Sequence, residues 1–198
     1  MIWKDTATEK RPLIPEDTYA GVCVGVVDLG THANSFGGSN RKVHLSWEIP
    51  SLAEENEEGE MTSRFIGRKL TCSLHERSNL RALLIGWRGR DFTPEELEAF
   101  DSANVLGAPA LLQVIHRTFH SGEGKYHFVN SVTKYLKEMP AIQSTSRRLD
   151  FSFDDFDEDS FNLLPEHLQN LIRESAEWAA LEAEGKAPVI VPDSEIPF

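Results

Sequence analysis

Apolar and polar residues alternate along several segments of the chain, which is the pattern of strands with one buried and one exposed face. In the segment RKVHLSWEIP every second side chain is large and apolar: Val43, Leu45, Trp47 and Ile49. The side chains between them are polar or charged. We therefore predict a strand here, with Trp47 in the core rather than on a binding face.

Two other segments near this one are also predicted to be strands. DTYAGVCVGVVDLG is rich in β-branched residues and punctuated by glycine, and the THANSFGGSN that follows has the composition of a loop. In RFIGRKLTCSL the polar face carries Phe65 and Lys69, and the apolar face carries Ile66, Leu70, Cys72 and Leu74. The pattern predicts three consecutive strands.

A helical connection is predicted after the third strand. Ser73 and Glu76 have the spacing of a capping box, and the apolar residues that follow recur at helical intervals: Leu80, Leu83, Leu84 and Trp87. Thr93 and Glu96 form a second box, with Pro94 at the first helical position of a short helix. The chain therefore passes through two helices before its next strand.

Two more strands are predicted after Gly107. The segments APALLQVIHRTF and KYHFVNSVTKY are joined by HSGEG, which has the composition of a hairpin turn. Three strands, a helical connection and two strands are the order expected of the OB-fold, a Greek-key barrel, although other small barrels and sandwiches share it. We predict a mainly β domain over residues 12–138, an OB-fold-like five-stranded barrel with a helical insert between strands 3 and 4.

The character of the chain changes after Met139. Residues 139–163 lack helical or strand periodicity and interleave aspartates with phenylalanines, so we predict an acidic, mostly disordered linker. A helix is predicted over 164–185, because apolar residues recur at helical spacing and Gly185 marks a stop. Residues 186–198 form the remaining acidic tail.

The net charge of −12 is unevenly distributed along the chain. Residues 1–149 carry 18 Lys and Arg against 19 Asp and Glu, a net charge of −1, whereas residues 150–198 carry 2 against 13, a net charge of −11. A near-neutral body with local basic stretches can bind a polyanion, whereas a uniformly acidic surface repels one. The composition is therefore compatible with a nucleic-acid-binding body.

The sequence lacks common catalytic and metal-binding motifs. There is no G-x-S-x-G, P-loop, H-E-x-x-H or C-x-x-C, and the 7 histidines are scattered. Cys23 and Cys72 lie in apolar stretches and are expected to be free thiols. We expect no enzymatic activity, metal or cofactor.

The apolar runs are too short to span a bilayer and the N-terminus lacks a signal-peptide pattern, which predicts a cytoplasmic protein.

Two segments resemble a known family. DSEIPF closely resembles the acidic tip of bacterial single-stranded DNA-binding proteins, and IPEDTYAGVCVGVVDLGTH with RKVHLSWEIP resembles the N-terminal part of phage-encoded single-stranded DNA-binding proteins. The middle of the chain matches only in the order of its elements. The resemblance implies an OB-fold body that binds single strands without strong sequence preference during phage DNA replication, recombination or repair in the host bacterial cytoplasm.

The chain also departs from the bacterial proteins. Its helical connection is longer, and a predicted helix at 164–185 precedes the tip where those proteins have a long Gly/Gln-rich linker. The resemblance does not imply their tetramer, so the oligomeric state is open. The alternative function is an acidic adaptor or DNA mimic that binds a host nucleic-acid enzyme, and a basic groove on residues 1–140 would argue against it.

In that family the tip docks on replication, recombination and repair proteins through its terminal Phe and carboxylate. The corresponding residues here are Asp193, Glu195, Ile196, Pro197 and Phe198. Carboxylates can pair with Arg or Lys around an apolar pocket, and the fixed backbone angle of Pro197 limits the entropy lost when Phe198 inserts. The tail is therefore predicted to dock a partner protein.

Binding of single strands without sequence preference needs cations for the phosphates and aromatic faces for the bases. Both residue types occur on the predicted third strand, near the first loop and around HSGEG. The candidate DNA-binding residues are Phe36, Arg41, Lys42, Arg64, Phe65, Arg68, Lys69, Arg117, Phe119, Lys125, Tyr126 and Phe128. A packing role for Phe65, a core position for Tyr126 and Phe128, and a solvated-surface role for each cation are open alternatives.

Overall fold

The computed structural model describes residues 12–55, 59 and 61–188. The strands are β1 (Asp17–Ala33), β2 (Ser39–Glu55), β3 (Met61–Thr71), β4 (Pro109–Thr118), β5 (Lys125–Lys134) and β6 (Leu149–Phe151). The helices are α1 (Asn79–Arg88), α2 (Pro94–Glu98), α3 (Glu158–Asn162), α4 (Glu166–Arg173) and α5 (Ala176–Ala183). Short 3-10 turns precede β4 (Ser102–Val105) and follow β6 (Phe153–Asp155).

All six strands belong to one sheet. Five are antiparallel neighbours in the order β3-β2-β1-β4-β5, and β6 pairs with β1 in parallel. The prediction of a mainly β protein with helices between strands 3 and 4 is confirmed. Within the described residues no hydrogen-bonded ladder joins β3 to β5, so the sheet is open where a closed barrel would have such a ladder.

β1 lies at the centre of the sheet and divides its hydrogen bonds among three strands. Residues 17–22 pair with β4, residues 22–33 pair with β2, and residues 25–27 pair with β6. Register shifts between Cys23 and Gly25 and between Asp28 and Gly30 mark β-bulges, which bend a strand and increase its twist. One long strand can therefore hydrogen-bond with three partners.

The main core is built on the apolar face of β2, together with side chains of β1, β3, β4, β5 and α1. Trp47 is fully buried, and its ring centroid lies 5.6 Å from that of Trp87 on α1. Trp87 Nε1 donates a hydrogen bond to the carbonyl oxygen of Pro109 at 2.8 Å. The prediction that Trp47 belongs to the core is confirmed.

The helical connection differs from the sequence prediction at its first residue. The cap of α1 is Ser78 rather than Ser73, because a turn at 75–77 separates β3 from the helix. The second predicted capping box is present at Thr93 and Glu96, which exchange reciprocal hydrogen bonds at the start of α2. Because α1 begins at Asn79, residues 72–78 connect β3 to the helix without being part of it.

Residues 149–187 form a C-terminal module that packs on β1 and does not share the main core. The structure differs here from the mostly disordered linker expected at 139–163. The phenylalanines that interleave with aspartates face a second apolar core, while Asp157 caps the short helix α3 and Ser152 caps the 3-10 turn. The buried residues of this second core are Val27, Leu29, Phe151, Phe161, Leu164, Leu168, Ile172 and Trp178.

The helix predicted over 164–185 is divided into α4 and α5. Ser175 separates them, since its hydroxyl accepts a hydrogen bond from the amide of Trp178 at 3.1 Å and caps α5. Ser175 also packs against Gly30 of β1, whose φ is +73°. A Cβ at Gly30 would lie 2.5 Å from that of Ser175, so the contact requires glycine.

Polar contacts attach the C-terminal module to the strands beneath it. Thr31 donates hydrogen bonds to the carboxylate of Glu177 from its amide at 2.6 Å and from its hydroxyl at 2.7 Å. Arg41 on β2 pairs with Asp28 on β1 and also with Asp154 of the module at 3.0 Å. These contacts fix the module at the loop end of β1 and β2.

The segment Ser144–Ser146 crosses the face of β2 and β3 opposite the main core, which we call the outer face. Glu48 is buried beneath it, and its carboxylate accepts hydrogen bonds from the hydroxyls of Ser63 at 2.6 Å and Ser144. Burial alone would raise the pKa of Glu48, but hydrogen bonds from Ser144, Ser63 and Ser146 lower this pKa to about 2. Glu48 thus holds the segment on the sheet as a buried anion.

We expect Trp47→Ala to lower the free energy of unfolding by about 3 to 5 kcal/mol, the cost of truncating a large buried aromatic side chain. Phe36→Ala is the matched control, because Phe36 is 95% exposed and its removal leaves no cavity. Urea denaturation of both variants provides the measurement. An unchanged midpoint for Trp47→Ala would contradict its place in the core.

Acidification should remove the stabilising contribution of Glu48. The unfolded carboxyl has the ordinary pKa of 4.5 and the folded one a pKa of about 2, so the contribution is fully present above pH 4.5 and is lost as the pH falls towards 2. The difference in free energy of unfolding between wild type and Glu48→Gln should therefore shrink across this window. Urea titrations at several pH values measure it, and a difference independent of pH would argue against the buried anion.

Candidate nucleic-acid interface

A cleft of about 560 Å³ lies at the free edge of β3, between the β3–α1 connection and the β4–β5 hairpin. Its basic side chains are Lys42, Arg68, Lys69, Arg77 and Arg117. No carboxylate is found among the described residues that line this cationic cleft. A concave surface whose charges are all positive attracts anions and raises their local concentration.

Two guanidinium groups lie against the ring of Phe128 in the cleft. The central guanidinium carbon of Arg117 is 3.6 Å from the ring centroid and that of Arg68 is 5.0 Å away, both within the range of cation–π contact. Burial and the nearby charge of Arg117 lower the pKa of Arg68. The ring therefore holds two like charges close together, and a bound anion would relieve their repulsion.

Arg68 also connects the two edges of the open sheet. Its Nη1 donates to the carbonyl oxygens of Val129 at 3.1 Å and Asn130 at 3.2 Å, both on β5. Arg68 shares a face of β3 with the buried Ile66 and Leu70, so its side chain enters the gap between β3 and β5. A side chain thus makes the link between β3 and β5 that backbone hydrogen bonds do not make.

The β4–β5 hairpin presents a row of aromatic side chains next to this gap. Ring centroids are 4.8 Å apart for Phe119 and Tyr126, and 6.4 Å apart for Tyr126 and Phe128. Arg117 is the register partner of Tyr126, so these side chains share the face opposite the fully buried Val129. The open question about Tyr126 and Phe128 is answered, since both are half-buried and lie outside the main core.

Lys42 and Lys69 reach the cleft from the outer face of β2 and β3. Lys42 Nζ donates to Thr71 Oγ1 at 2.8 Å across the two strands. This neutral partner holds the Lys42 side chain without cancelling its charge. The sequence prediction and the structure agree that these two lysines face away from the main core.

The β3–α1 connection contributes residues that the sequence analysis did not select. Ser73, His75 and Arg77 line the cleft beside Lys69, and so does Asn79, the first residue of α1. The polar sequence HERSN, directly after the predicted third strand, could have indicated these residues. The capping-box spacing of Ser73 and Glu76 instead predicted the start of a helix there. Because the helix begins later, these side chains are free to line the cleft.

Two predicted cations lie outside the cleft and have structural partners. Arg41 pairs with the C-terminal module as described above. Arg64 is buried, donates to the carbonyl oxygen of Pro12 at 2.5 Å and lies 3.6 Å from the carboxylate of Glu54. Four other candidates do not line the cleft: the exposed Phe36 in the β1–β2 turn and Lys125 at the start of β5, and Phe119 and Tyr126 of the hairpin.

Phe65 faces outward, as its place on the polar face of β3 predicts, but it lines a second pocket. This sheet–module pocket has a volume of about 440 Å³ and lies between the outer face of β2 and β3 and the C-terminal module. The sheet side includes His44, Ser46, Phe65 and Gly67, and the opposite side includes Ser146, Arg147, Leu149, Leu163, Pro165, His167 and Leu168. Phe65 is 45% exposed, so a packing role and a stacking role both remain open.

The sheet–module pocket contains a perturbed histidine. The rings of His44 and His167 are 6.5 Å apart in an edge-to-face arrangement. Burial, the positive charge that His167 can carry and the charge of Lys69 lower the pKa of His44 to about 4. His44 is therefore neutral at physiological pH and adds no charge to the pocket.

The predicted docking tip lies outside the described residues, so its role stays a prediction: Asp193, Glu195, Ile196, Pro197 and Phe198. Within residues 12–55, 59 and 61–188, no cluster of three or more His, Cys, Asp or Glu side chains is placed to hold a metal ion. None of the helices in this part of the chain has the length and apolar character needed to cross a membrane.

Comparison with known proteins does not assign a family. No protein-family model matches the sequence, and no curated protein matches it significantly.

Proposed function

We propose that this protein binds single-stranded DNA without sequence preference and without covalent chemistry. The observation that carries the proposal is the contact of Arg117 and Arg68 with Phe128 inside a cleft that has five basic side chains and no carboxylate among its described lining residues. Cations contact phosphates, and aromatic rings stack on bases of any identity. Exposed bases are a property of single strands, so the aromatic row favours them over duplex.

The finer fold assignment in this proposal is the OB-fold, a partly open five-stranded barrel. It is supported by the strand order β3-β2-β1-β4-β5, by the helices between β3 and β4, and by the hydrogen bonds of Arg68 to β5. The cleft also includes strands 2 and 3 and the hairpin of strands 4 and 5, where OB-folds bind oligonucleotides. The fold proposal and the binding proposal therefore agree on the same surface.

The biological role we propose is protection of single strands during phage DNA replication, recombination or repair in the host bacterial cytoplasm. It is supported by the resemblance of DSEIPF and of the first strands to the single-stranded DNA-binding proteins. The C-terminal tip would recruit replication proteins while the body holds the strand. Neither part is assigned an enzymatic activity.

The acidic adaptor or DNA mimic remains the alternative. It is supported by the net charge of −11 over residues 150–198. A mimic needs acidic groups along the surface that its target binds, whereas the cleft on the body is basic. Direct binding of DNA by the body therefore separates the two proposals.

We expect fluorescence titration to show tighter binding to oligo(dT) than to duplex of equal length. The logarithm of the affinity should fall with the logarithm of the salt concentration, with a slope of about −0.7 for each phosphate neutralised. Arg117→Ala should weaken binding and reduce that slope, because Arg117 is an exposed cation of the cleft. Lys137→Ala removes the same charge from an exposed position that does not line the cleft.

Lys137→Ala is therefore expected to bind like wild type. Equal affinities for duplex and single strand would contradict the stacking of bases on aromatic side chains. Equal losses in Arg117→Ala and Lys137→Ala would show that binding responds to net charge alone and would remove the cleft from the proposal.

Deletion of residues 190–198 should leave oligo(dT) affinity within about twofold while abolishing docking to a replication protein. The cleft residues lie between 42 and 128, far from the deleted segment in sequence. Phe198→Ala provides a point variant that keeps the acidic charge. Surface plasmon resonance with purified replication and recombination proteins of the host measures docking, and undiminished docking by the deletion variant would refute a role for the tip.

A further inference from the structure

The sheet–module pocket and the cationic cleft lie along the same strand. Phe65, Gly67 and Lys69 alternate on the outer face of β3, with Phe65 in the pocket and Lys69 in the cleft. Four residues of strand place Phe65 roughly 13 Å from Lys69. A ligand chain that leaves the cleft along β3 therefore reaches the pocket within a short distance.

The pocket has the size and composition of a site for a planar aromatic group. Its volume of about 440 Å³ lies within the usual range for ligand pockets, and its walls are mainly apolar. Phe65 on the sheet side and Leu163 on the module side are 45% and 42% exposed, respectively, although both are large and apolar. Apolar side chains left exposed in a concave pocket are positioned to contact a ligand.

Gly67 gives the ring of His44 room to lie in the floor of the pocket. A Cβ at Gly67 would lie 2.3 Å from Nε2 of His44, so any side chain would collide with the histidine. His44 and Ser46 add polar atoms to this floor. The arrangement combines an aromatic face, on which any base can stack, with the few polar groups that are typical of ligand pockets.

The acidic side chains of the C-terminal module lie away from the pocket, which leaves the pocket accessible to an anionic chain. Residues 150–187 carry 11 Asp and Glu against 2 Lys and Arg. None of those carboxylates is among the described residues that line the pocket, whereas the exposed Arg147 does line it. Phosphate is therefore attracted to the Arg147 side of the pocket and repelled from the remaining surface of the module.

We propose that the sheet–module pocket is a second nucleotide subsite, in which a base of the bound single strand stacks on Phe65 beneath the C-terminal module and Arg147 contacts a phosphate. The inference rests on the proposed function and deepens it. The acidic module is part of the DNA-binding surface, because it supplies one wall of this subsite through Leu163, Pro165 and His167.

The test uses the full chain and an oligo(dT) of roughly 12 nucleotides, within the range of site sizes for folds of this kind. Phe65→Ala should weaken binding by about five- to 150-fold, the fold-change that corresponds to the loss of one stacked base. Phe65→Trp keeps an aromatic face and should bind within a few-fold of wild type. Hydrogen exchange of residues 149–187 reports whether each variant keeps the module in place.

A pair of charge variants tests the module wall. Leu163→Glu adds a carboxylate inside the pocket, and Ala179→Glu adds the same charge at an exposed position of α5 that does not line it. Leu163→Glu should weaken binding at low salt, with a smaller loss at high salt, and Ala179→Glu should bind like wild type. Arg147→Ala should reduce the salt dependence as well as the affinity.

The outcomes separate this inference from the proposed function. If wild type binds, Arg117→Ala weakens binding, and Phe65→Ala and Leu163→Glu bind like wild type, the second subsite is refuted and the cationic cleft stands. Equal losses in Phe65→Ala and Phe65→Trp with increased exchange in residues 149–187 would show a packing role and also refute it. If wild type binds no oligonucleotide, the proposed function falls and the subsite with it.

Discussion

The structure depends on β1 being apolar on both of its faces. Cys23 and Val26 belong to the main core, whereas Val27 and Leu29 belong to the second core, so this strand requires a layer of structure on each side. Exposure of each large side chain of the second core would cost about 1.5 to 3 kcal/mol in lost burial. The C-terminal module meets that requirement, and β6 adds a parallel strand to the edge of β1 that β4 leaves unpaired. An acidic chain segment is thus held on the sheet by apolar contacts in spite of its charge.

The position of the module also decides which cations are available to a ligand. Arg41 lies beneath it and is paired with Asp28 and Asp154, whereas the cleft at the free edge of β3 is not covered by the module. Basic residues of similar appearance in the sequence therefore have different roles. Arg41 and Arg64 are paired with carboxylates, whereas Arg68 and Arg117 lie against an aromatic ring. In the proposed function the charge that matters is the local charge of the cleft, which the overall value of −12 conceals.

The sequence predicted the five main strands and the burial of Trp47, because each signal is local: alternation, turn composition and spacing of apolar residues. It could not predict the order of residues 149–187 as a packed module. The strand and the first helix there have 3 and 5 residues, too short for a periodic pattern to emerge. Helical spacing was visible over 164–185, but the break at Ser175 and the packing on β1 depend on residues distant in sequence. The candidate site was also hard to predict, because Asp154, which pairs with Arg41, lies 113 residues away in the sequence. The alternation in β3 predicted that Phe65 faces outward. It could not predict the opposite wall of the sheet–module pocket, because the residues of that wall are distant from β3 in the sequence.

Arg68 has a structural role and, in the proposed function, a binding role as well. Its hydrogen bonds to Val129 and Asn130 hold β5 beside β3, and its contact with Phe128 places its charge in the cleft. Both hydrogen bonds use Nη1, so they leave the protons on Nε and Nη2 for a phosphate in the proposed function. A phosphate can therefore bind Arg68 while its link between β3 and β5 is kept. Among the described residues no hydrogen bond from Arg117 links the two strands, so in the proposed function it supplies charge to a ligand without altering the sheet.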